Sequence, residues 1–182
     1  MTQSGLISDE YRQMQERLHL DPDYGIASRY FAATIAQVIK ANDIKELLDY
    51  GAGKGRLGET LKELGVCPAA LHHYDPAIPG WSAPPAPAEL TVCLDVLEHI
   101  EPDRIDNVLD DLRRVTRRLG VFSVSTTPAD KTLDDGRNAH LIVQGSGWWL
   151  RKLLDRFELI KFEKIRDGFI VAVAPIDSSN NS

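Results

Sequence analysis

Apolar positions in this chain recur either at helical spacing or in short unbroken runs, and the two patterns alternate. Residues 8–18 predict a short helix, with Ser8 placed to cap it and Asp9 and Glu10 suited to its first turn. Pro22 and Gly25 break the stretch 18–25. Phe31, Ile35, Val38 and Ile39 predict a second helix over 28–41, ended by Asn42-Asp43. IKELLDYG (44–51) is an apolar run entering a glycine cluster, which predicts a buried strand and a tight turn. A helix over 55–65 carries Leu57, Leu61 and Leu64 on one face and stops at Gly65. A strand over 70–74 ends at Asp75-Pro76, and a third covers 89–97. Pro102 opens a helix expected to run to Leu119, with Gly120 as its stop. A strand over 121–127, a polar loop over 128–140 and a helix over 146–156 follow. Two last strands, 157–165 and 168–174, join at Asp167-Gly168.

Strands alternating with helices predict an α/β fold, a mostly parallel sheet with helices on both faces. The closing hairpin adds one antiparallel strand. Residues 76–89 hold five of the ten prolines, so no central strand is expected there. Ile78 and Trp81 make that stretch an anchored loop rather than a linker between domains. Three segments result: an N-terminal helical part over 1–43, a core domain over 44–175 and a disordered tail over 176–182.

The chain has 182 residues, 43% apolar and 26% charged, which suits one domain. Its net charge of −6 argues against broad contact with a phosphate backbone. Arg113, Arg114, Arg117 and Arg118 cluster, but read as cations in the last turns of a helix. Cys67 and Cys93 make neither a disulfide framework nor a zinc spacing, and no metal site is indicated. The first residues are too polar for a signal core or a membrane span, which leaves the cytoplasm as the expected compartment.

Asp49-Tyr50-Gly51-Ala52-Gly53-Lys54-Gly55 lies between a predicted strand and a predicted helix. Glycines there let the backbone turn tightly and approach a ligand at the carboxyl end of the strand. Gly53-x-Gly55-x-x-Gly58, with Asp75 further on, also matches the dinucleotide fingerprint, so a nicotinamide or flavin oxidoreductase is an alternative. Asp49 separates the two readings. A carboxylate two residues before Gly51 repels phosphate and attracts an ammonium group.

LLDYGAGKGRL (47–57) resembles the first motif of class I, Rossmann-like S-adenosylmethionine-dependent methyltransferases. YDP (74–76) resembles their second motif. VCLDVLEHIEPD (92–103) resembles the fourth, as in the group acting on quinones, small metabolites and glycans. The resemblance implies a three-layer sandwich that binds S-adenosylmethionine. In it Asp49 would hold the methionine ammonium, and Tyr50, Gly51 and Gly53 would pass under the cofactor. Asp75, with Pro76, would take the ribose diol, and Asp95 and Val96 would line the methionine end. Asp49 and Asp95 also read as strand-end acids bound to backbone amides, and Asp75 as an Asx-turn. Between Asp75 and the next strand there are too few residues for the family's usual helix, strand and helix. One edge strand is therefore expected to be missing or short, with Ile78 and Trp81 of the proline-rich loop covering adenine; alternatively Trp81 only anchors that loop. The shortened region also keeps open a non-catalytic S-adenosylmethionine-binding protein.

The resemblance implies methyl transfer to an oxygen or nitrogen of a small acceptor: a metabolite, sugar or glycan. Glu98, His99 and His140 are the candidate general bases, since all three fall at the carboxyl edge of the predicted sheet. Helix-start electrostatics at Pro102 competes for Glu98, turn packing for His99, and an ordinary loop position for His140. Of Trp148 and Trp149, one is expected in the core and one at the pocket mouth. Tyr11, His19 and Tyr24 make the N-terminal segment a candidate lid.

Overall fold

The computed structural model describes residues 5–176, so the expected tail lies outside the described residues except for Ile176. Six strands form one sheet: β1 (Glu46–Tyr50), β2 (Ala70–Tyr74), β3 (Ala88–Leu94), β4 (Thr116–Ser125), β5 (Phe157–Ile165) and β6 (Gly168–Pro175). Their order is β2-β1-β3-β4-β6-β5. The first four are parallel, and β6 pairs antiparallel with β4 and with β5. Antiparallel β6 between β4 and β5 sets this sheet apart from the plain dinucleotide-binding order.

The strands read as apolar runs because both faces are covered. Successive residues point to opposite sides. In β1, Leu47 enters one core and Leu48 the other. Leu90, Val92 and Leu94 of β3 face the core built with α2 (Ala32–Asn42) and α3 (Arg56–Glu63). Cys93, Phe122 and Val124 face the core built with α4 (Ile105–Val115) and α5 (Ser146–Leu154). The N-terminal helix, α1 (Asp9–Leu18), starts at Ser8, whose hydroxyl accepts from Tyr11 N–H. Tyr11 and Met14 of α1, with Ile7, form a third, separate cluster against Leu133 and Ala139.

Three expectations need correction. The second helix begins with a 3-10 turn over Ala27–Phe31 and becomes α-helical only from Ala32. The helix after Pro102 ends at Val115, not Leu119, and β4 follows without a loop. β-branched Val115 and Thr116 favour extended backbone there, and the Thr116 hydroxyl donates to the Leu112 carbonyl at 2.7 Å, closing the helix end. Arg117 and Arg118 therefore sit on β4, where they pair with Glu46 and Glu89 rather than with a helix terminus. Third, the last hairpin turns at Arg166-Asp167 rather than at Asp167-Gly168, while Gly168 opens β6 as the expected strand 168–174 had it. A side chain on Gly168 would run into the Val124 carbonyl of β4.

The expected loss of an edge strand is what the sheet has. Beyond β2 no further strand pairs among the described residues, and the proline-rich loop closes on itself instead. Asp75 N–H donates to the Trp81 carbonyl at 3.0 Å and Trp81 N–H to Ile78 at 3.1 Å. No helix among the described residues is long and apolar enough to cross a membrane.

Candidate functional site

The carboxyl ends of β1, β2, β3 and β4 open into a cavity of about 680 Å³. Its floor is the glycine loop after β1. Gly51 has φ +79°, and any Cβ there would collide with the Val96 methyls. Gly51 and Ala52 N–H both donate to the Tyr74 carbonyl, at 2.7 and 3.0 Å, which ties the loop to the end of β2. Gly53, at φ +52°, lies so close to the N-terminal segment that its Cβ would meet the Gly25 carbonyl at 2.8 Å.

Of the residues singled out for a cofactor, Tyr50, Gly51, Gly53, Asp75, Pro76, Asp95 and Val96 line this cavity; Asp49 and Ile78 do not. Asp75 ends β2 with one carboxylate oxygen accepting from Gly53 N–H at 2.9 Å and the other from Ala77 N–H at 2.9 Å. The Asx-turn is thus present, and it holds the carboxylate still while each oxygen keeps lone-pair capacity for another donor. The same turn, closed by Ile78 N–H on the Asp75 carbonyl at 3.2 Å, puts Ala77 on the cavity wall in place of Ile78. Trp81 stacks on His73 at 4.5 Å and packs on Gly55, so it anchors the loop and covers no part of the cavity. Tyr50 turns its hydroxyl into the core, donating to Asp111 at 3.0 Å.

Asp49 is 1% exposed, and its Oδ2 has no hydrogen-bond partner; His73 Nδ1 stands 3.8 Å away. Burial pushes its carboxyl up from the ordinary value, and His73 only partly opposes this. An orphaned buried carboxylate oxygen below the glycine loop suits an ammonium group better than a pyrophosphate.

The opposite end of the cavity lies after β3. Asp95 takes φ +60°, uncommon for a residue with a side chain, and its N–H donates to the Ser123 hydroxyl at 3.0 Å. Such strain persists only where surroundings enforce it and concentrates at functional sites. A 3-10 turn over Leu97–His99 follows. Glu98 is 0% exposed; its Oε1 accepts from Ser125 N–H at 2.5 Å and its Oε2 is unpartnered. Its carboxyl therefore faces the end of β4 and not the start of α4, which removes helix-start electrostatics as its role. Burial first, and then the neighbouring Asp95, push its carboxyl well above the usual range.

His99 Nδ1 lies 2.8 Å from the Ala139 carbonyl, and His140 Nδ1 lies 2.6 Å from the Thr127 carbonyl. A carbonyl only accepts, so both rings carry their proton on Nδ1 and leave Nε2 with its lone pair. Burial pushes His99 down to about 4, so it is neutral at neutral pH. The two rings meet edge to face at 4.7 Å. Asp95, Glu98 and His140 each offer a donor atom, all within 4.8 Å of one another. Sequence spacing hides this group, because the histidine arrives on the loop beyond β4.

The N-terminal segment lies over the cavity with Tyr11, Gln15, His19 and Tyr24 on its wall. Tyr11 donates to the His99 carbonyl at 2.6 Å, Gln15 Nε2 to the Tyr11 hydroxyl at 2.6 Å, and the Tyr24 hydroxyl to Gln15 Oε1 at 2.9 Å. Lys54 of the glycine loop donates to the Asp21 and Tyr24 carbonyls. The sequence gives no role to Gln15, which stands in no recognisable motif, or to Lys54, which lies inside the glycine-loop motif but whose partners are backbone carbonyls distant in sequence. Trp149 is fully buried, while Trp148 lines a small separate hollow beside Pro102 and Lys152 and not the mouth of the main cavity.

Neither a family model nor a curated protein matches the chain. Solved structures do. The 1,6-didemethyltoxoflavin-N1-methyltransferase of Burkholderia thailandensis, solved with 1,6-didemethyltoxoflavin and S-adenosylhomocysteine, superposes with a TM-score of 0.67 at 16% identity, over 94% of this chain and 91% of that one. Magnesium protoporphyrin IX methyltransferase from Synechocystis PCC 6803, with bound S-adenosylhomocysteine, gives 0.57 at 15% identity, over 83% and 84%. An rRNA methylase from Escherichia coli gives 0.52 at 15% identity, over 93% and 78%. The chain shares their fold.

Proposed function

We propose that this chain, which has the fold of class I S-adenosylmethionine-dependent methyltransferases, moves a methyl group from S-adenosylmethionine to an oxygen or nitrogen of a small acceptor. The observation that carries the reading is the pair of carboxylates at the ends of β1 and β2. Asp49 has a buried oxygen without a partner beneath the glycine loop, and Asp75 lines the cavity held by two backbone amides. That set fits a ligand with an ammonium group and a ribose diol, and offers nothing cationic to a pyrophosphate. Gly51 and Gly53 would let the backbone pass under the ligand, and Val96 would pack beside it. Bound there, the cofactor supplies a strongly electrophilic methyl group, so positioning of the acceptor carries most of the remaining work. Asp95, Glu98, His99 and His140 mark the acceptor end. His99 keeps an Nε2 lone pair at this end and can take a proton there, as a weak base, because burial pushes it down to about 4. Tyr11, Gln15 and Tyr24 close the site over the acceptor and keep water out. The size of the cavity favours a metabolite or a sugar.

The dinucleotide reading retains one observation. Gly58 on α3 lies so close to Leu71 of β2 that a Cβ would meet it at 2.6 Å, as the third glycine of that fingerprint requires. Calorimetric titration with S-adenosylmethionine, S-adenosylhomocysteine and NADH decides between them. We expect micromolar binding of the first two, weakened roughly ten- to a hundredfold in Asp75→Ala through loss of charge-assisted hydrogen bonds. Binding of NADH alone would overturn the reading.

A further inference from the structure

We infer that Asp95, Glu98 and His140 hold one divalent metal ion at the acceptor end of the cavity. Three separate pieces of chain deliver them: the strained residue after β3, the 3-10 turn behind it, and the loop beyond β4. Their donor atoms lie within 4.8 Å of one another. The independent sign of a ligand is Glu98 Oε2. It is buried and has no hydrogen-bond partner, and the carboxylate it belongs to contributes a donor atom to this group. Burying a carboxylate beside a second carboxylate is costly unless a positive charge answers both. Among the described residues no Lys or Arg forms an ion pair with Asp95 or Glu98.

The surrounding hydrogen bonds orient each ligand. His140 gives its Nδ1 proton to the Thr127 carbonyl, so Nε2 is the nitrogen left to bind, the arrangement usual behind a metal-bound histidine. Ser125 N–H fixes the other Glu98 oxygen, and the Ser123 hydroxyl accepts from Asp95 N–H, fixing the backbone there. Two carboxylates with one imidazole suit Mn²⁺, Fe²⁺ or Zn²⁺ better than Mg²⁺ or Ca²⁺, which favour oxygen-only shells. Three protein ligands leave positions open, and Asp95 and His140 line the cavity, so those positions face it. Resting on the methyl-transfer reading, the acceptor then belongs to the class of hydroxyl compounds: one hydroxyl oxygen would bind the ion, which makes its proton acidic enough for the weak base His99 to take and pass to solvent.

The test is calorimetry and electron paramagnetic resonance on the full chain, stripped with a chelator and titrated with Mn²⁺, then with Zn²⁺, in the absence of acceptor. We expect one ion per chain. Glu98→Gln and His140→Ala should each weaken binding at least roughly tenfold, with circular dichroism unchanged. His140 lies on a loop, so its variant keeps the test valid if Glu98→Gln fails to fold. No ion bound at millimolar Mn²⁺ and Zn²⁺, or equal binding by wild type and both variants, overturns the proposal and leaves a proton shared between the two carboxyls. A parallel titration with S-adenosylhomocysteine separates the two readings. Metal binding without it supports the site and sinks the methyltransferase; the reverse result sinks the metal alone.

Discussion

Asp49 and Asp75 both end strands, yet the structure treats them differently. Asp75 is satisfied by Gly53 and Ala77 N–H, whereas Asp49 is sealed in with one oxygen unpaired. Desolvation favours the neutral acid, so Asp49 binds a proton more readily in the folded chain than at its ordinary value of 3.8. The contribution to stability is therefore complete below that ordinary value and is lost as pH rises through the folded one. Asp49→Asn removes the penalty. Urea unfolding of the ligand-free proteins from acid to neutral pH should show the variant gaining on wild type as pH rises. A constant gap across that range would mean that the carboxylate is solvated. Both aspartates were legible in the sequence, because an acid at a strand end beside glycines is a local pattern. Which of them lines the cavity was not, since that depends on how the Asx-turn and the loop of Trp81 fold back. The same turn carries Ile78, expected against adenine, off the cavity wall.

At the scale of elements, the sequence located every helix and strand of the core, and erred where two of them meet. Gly120 looks like a helix stop because four residues before it, Thr116 to Leu119, continue the charged pattern of α4. It is instead a central residue of β4, paired with Thr91 and with Val173. A Cβ on Gly120 would meet Phe122 Cζ at 2.6 Å and Val173 Cγ2 at 2.9 Å. Gly120→Ala is thus an overpacking change, expected to destabilise by about 1–3 kcal/mol in urea unfolding. A helix-stop glycine just past Leu119 would instead have shown a left-handed backbone, and Gly120 has none. Alanine tolerated without loss would place β4 in another register. The boundary was hidden because Thr116 caps α4 with its own hydroxyl, leaving no glycine or loop to announce the end.

The whole molecule divides into a sheet with two large cores and a cover with a small one. The cover combines α1 with the loop carrying Leu133 and Ala139. It is fastened mainly by polar contacts near the surface. Lys54 holds the Asp21 and Tyr24 carbonyls, Lys131 pairs with Asp21, and Arg17 pairs with Asp134 at 2.5 Å. Ser8 N–H donates to Glu101 at 2.8 Å. Exposed ion pairs of this kind contribute about 0–1 kcal/mol each, and the apolar cluster beneath them is small. β3, by contrast, is buried on both faces and paired on both edges. The cover should therefore open well before the sheet unfolds. Native-state hydrogen exchange should report amides of α1 exchanging at a lower free energy than those of β3. Opening the cover would uncover Gly53 and the cavity, and a ligand that binds only the closed form would then be coupled to closure. With S-adenosylhomocysteine at a hundred times its Kd, α1 amides should gain about 2.7 kcal/mol of protection. If α1 already exchanges only by global unfolding in the free protein, the N-terminal segment is a fixed wall, and ligands enter elsewhere. If it opens but gains nothing on binding, the segment is mobile without gating the site.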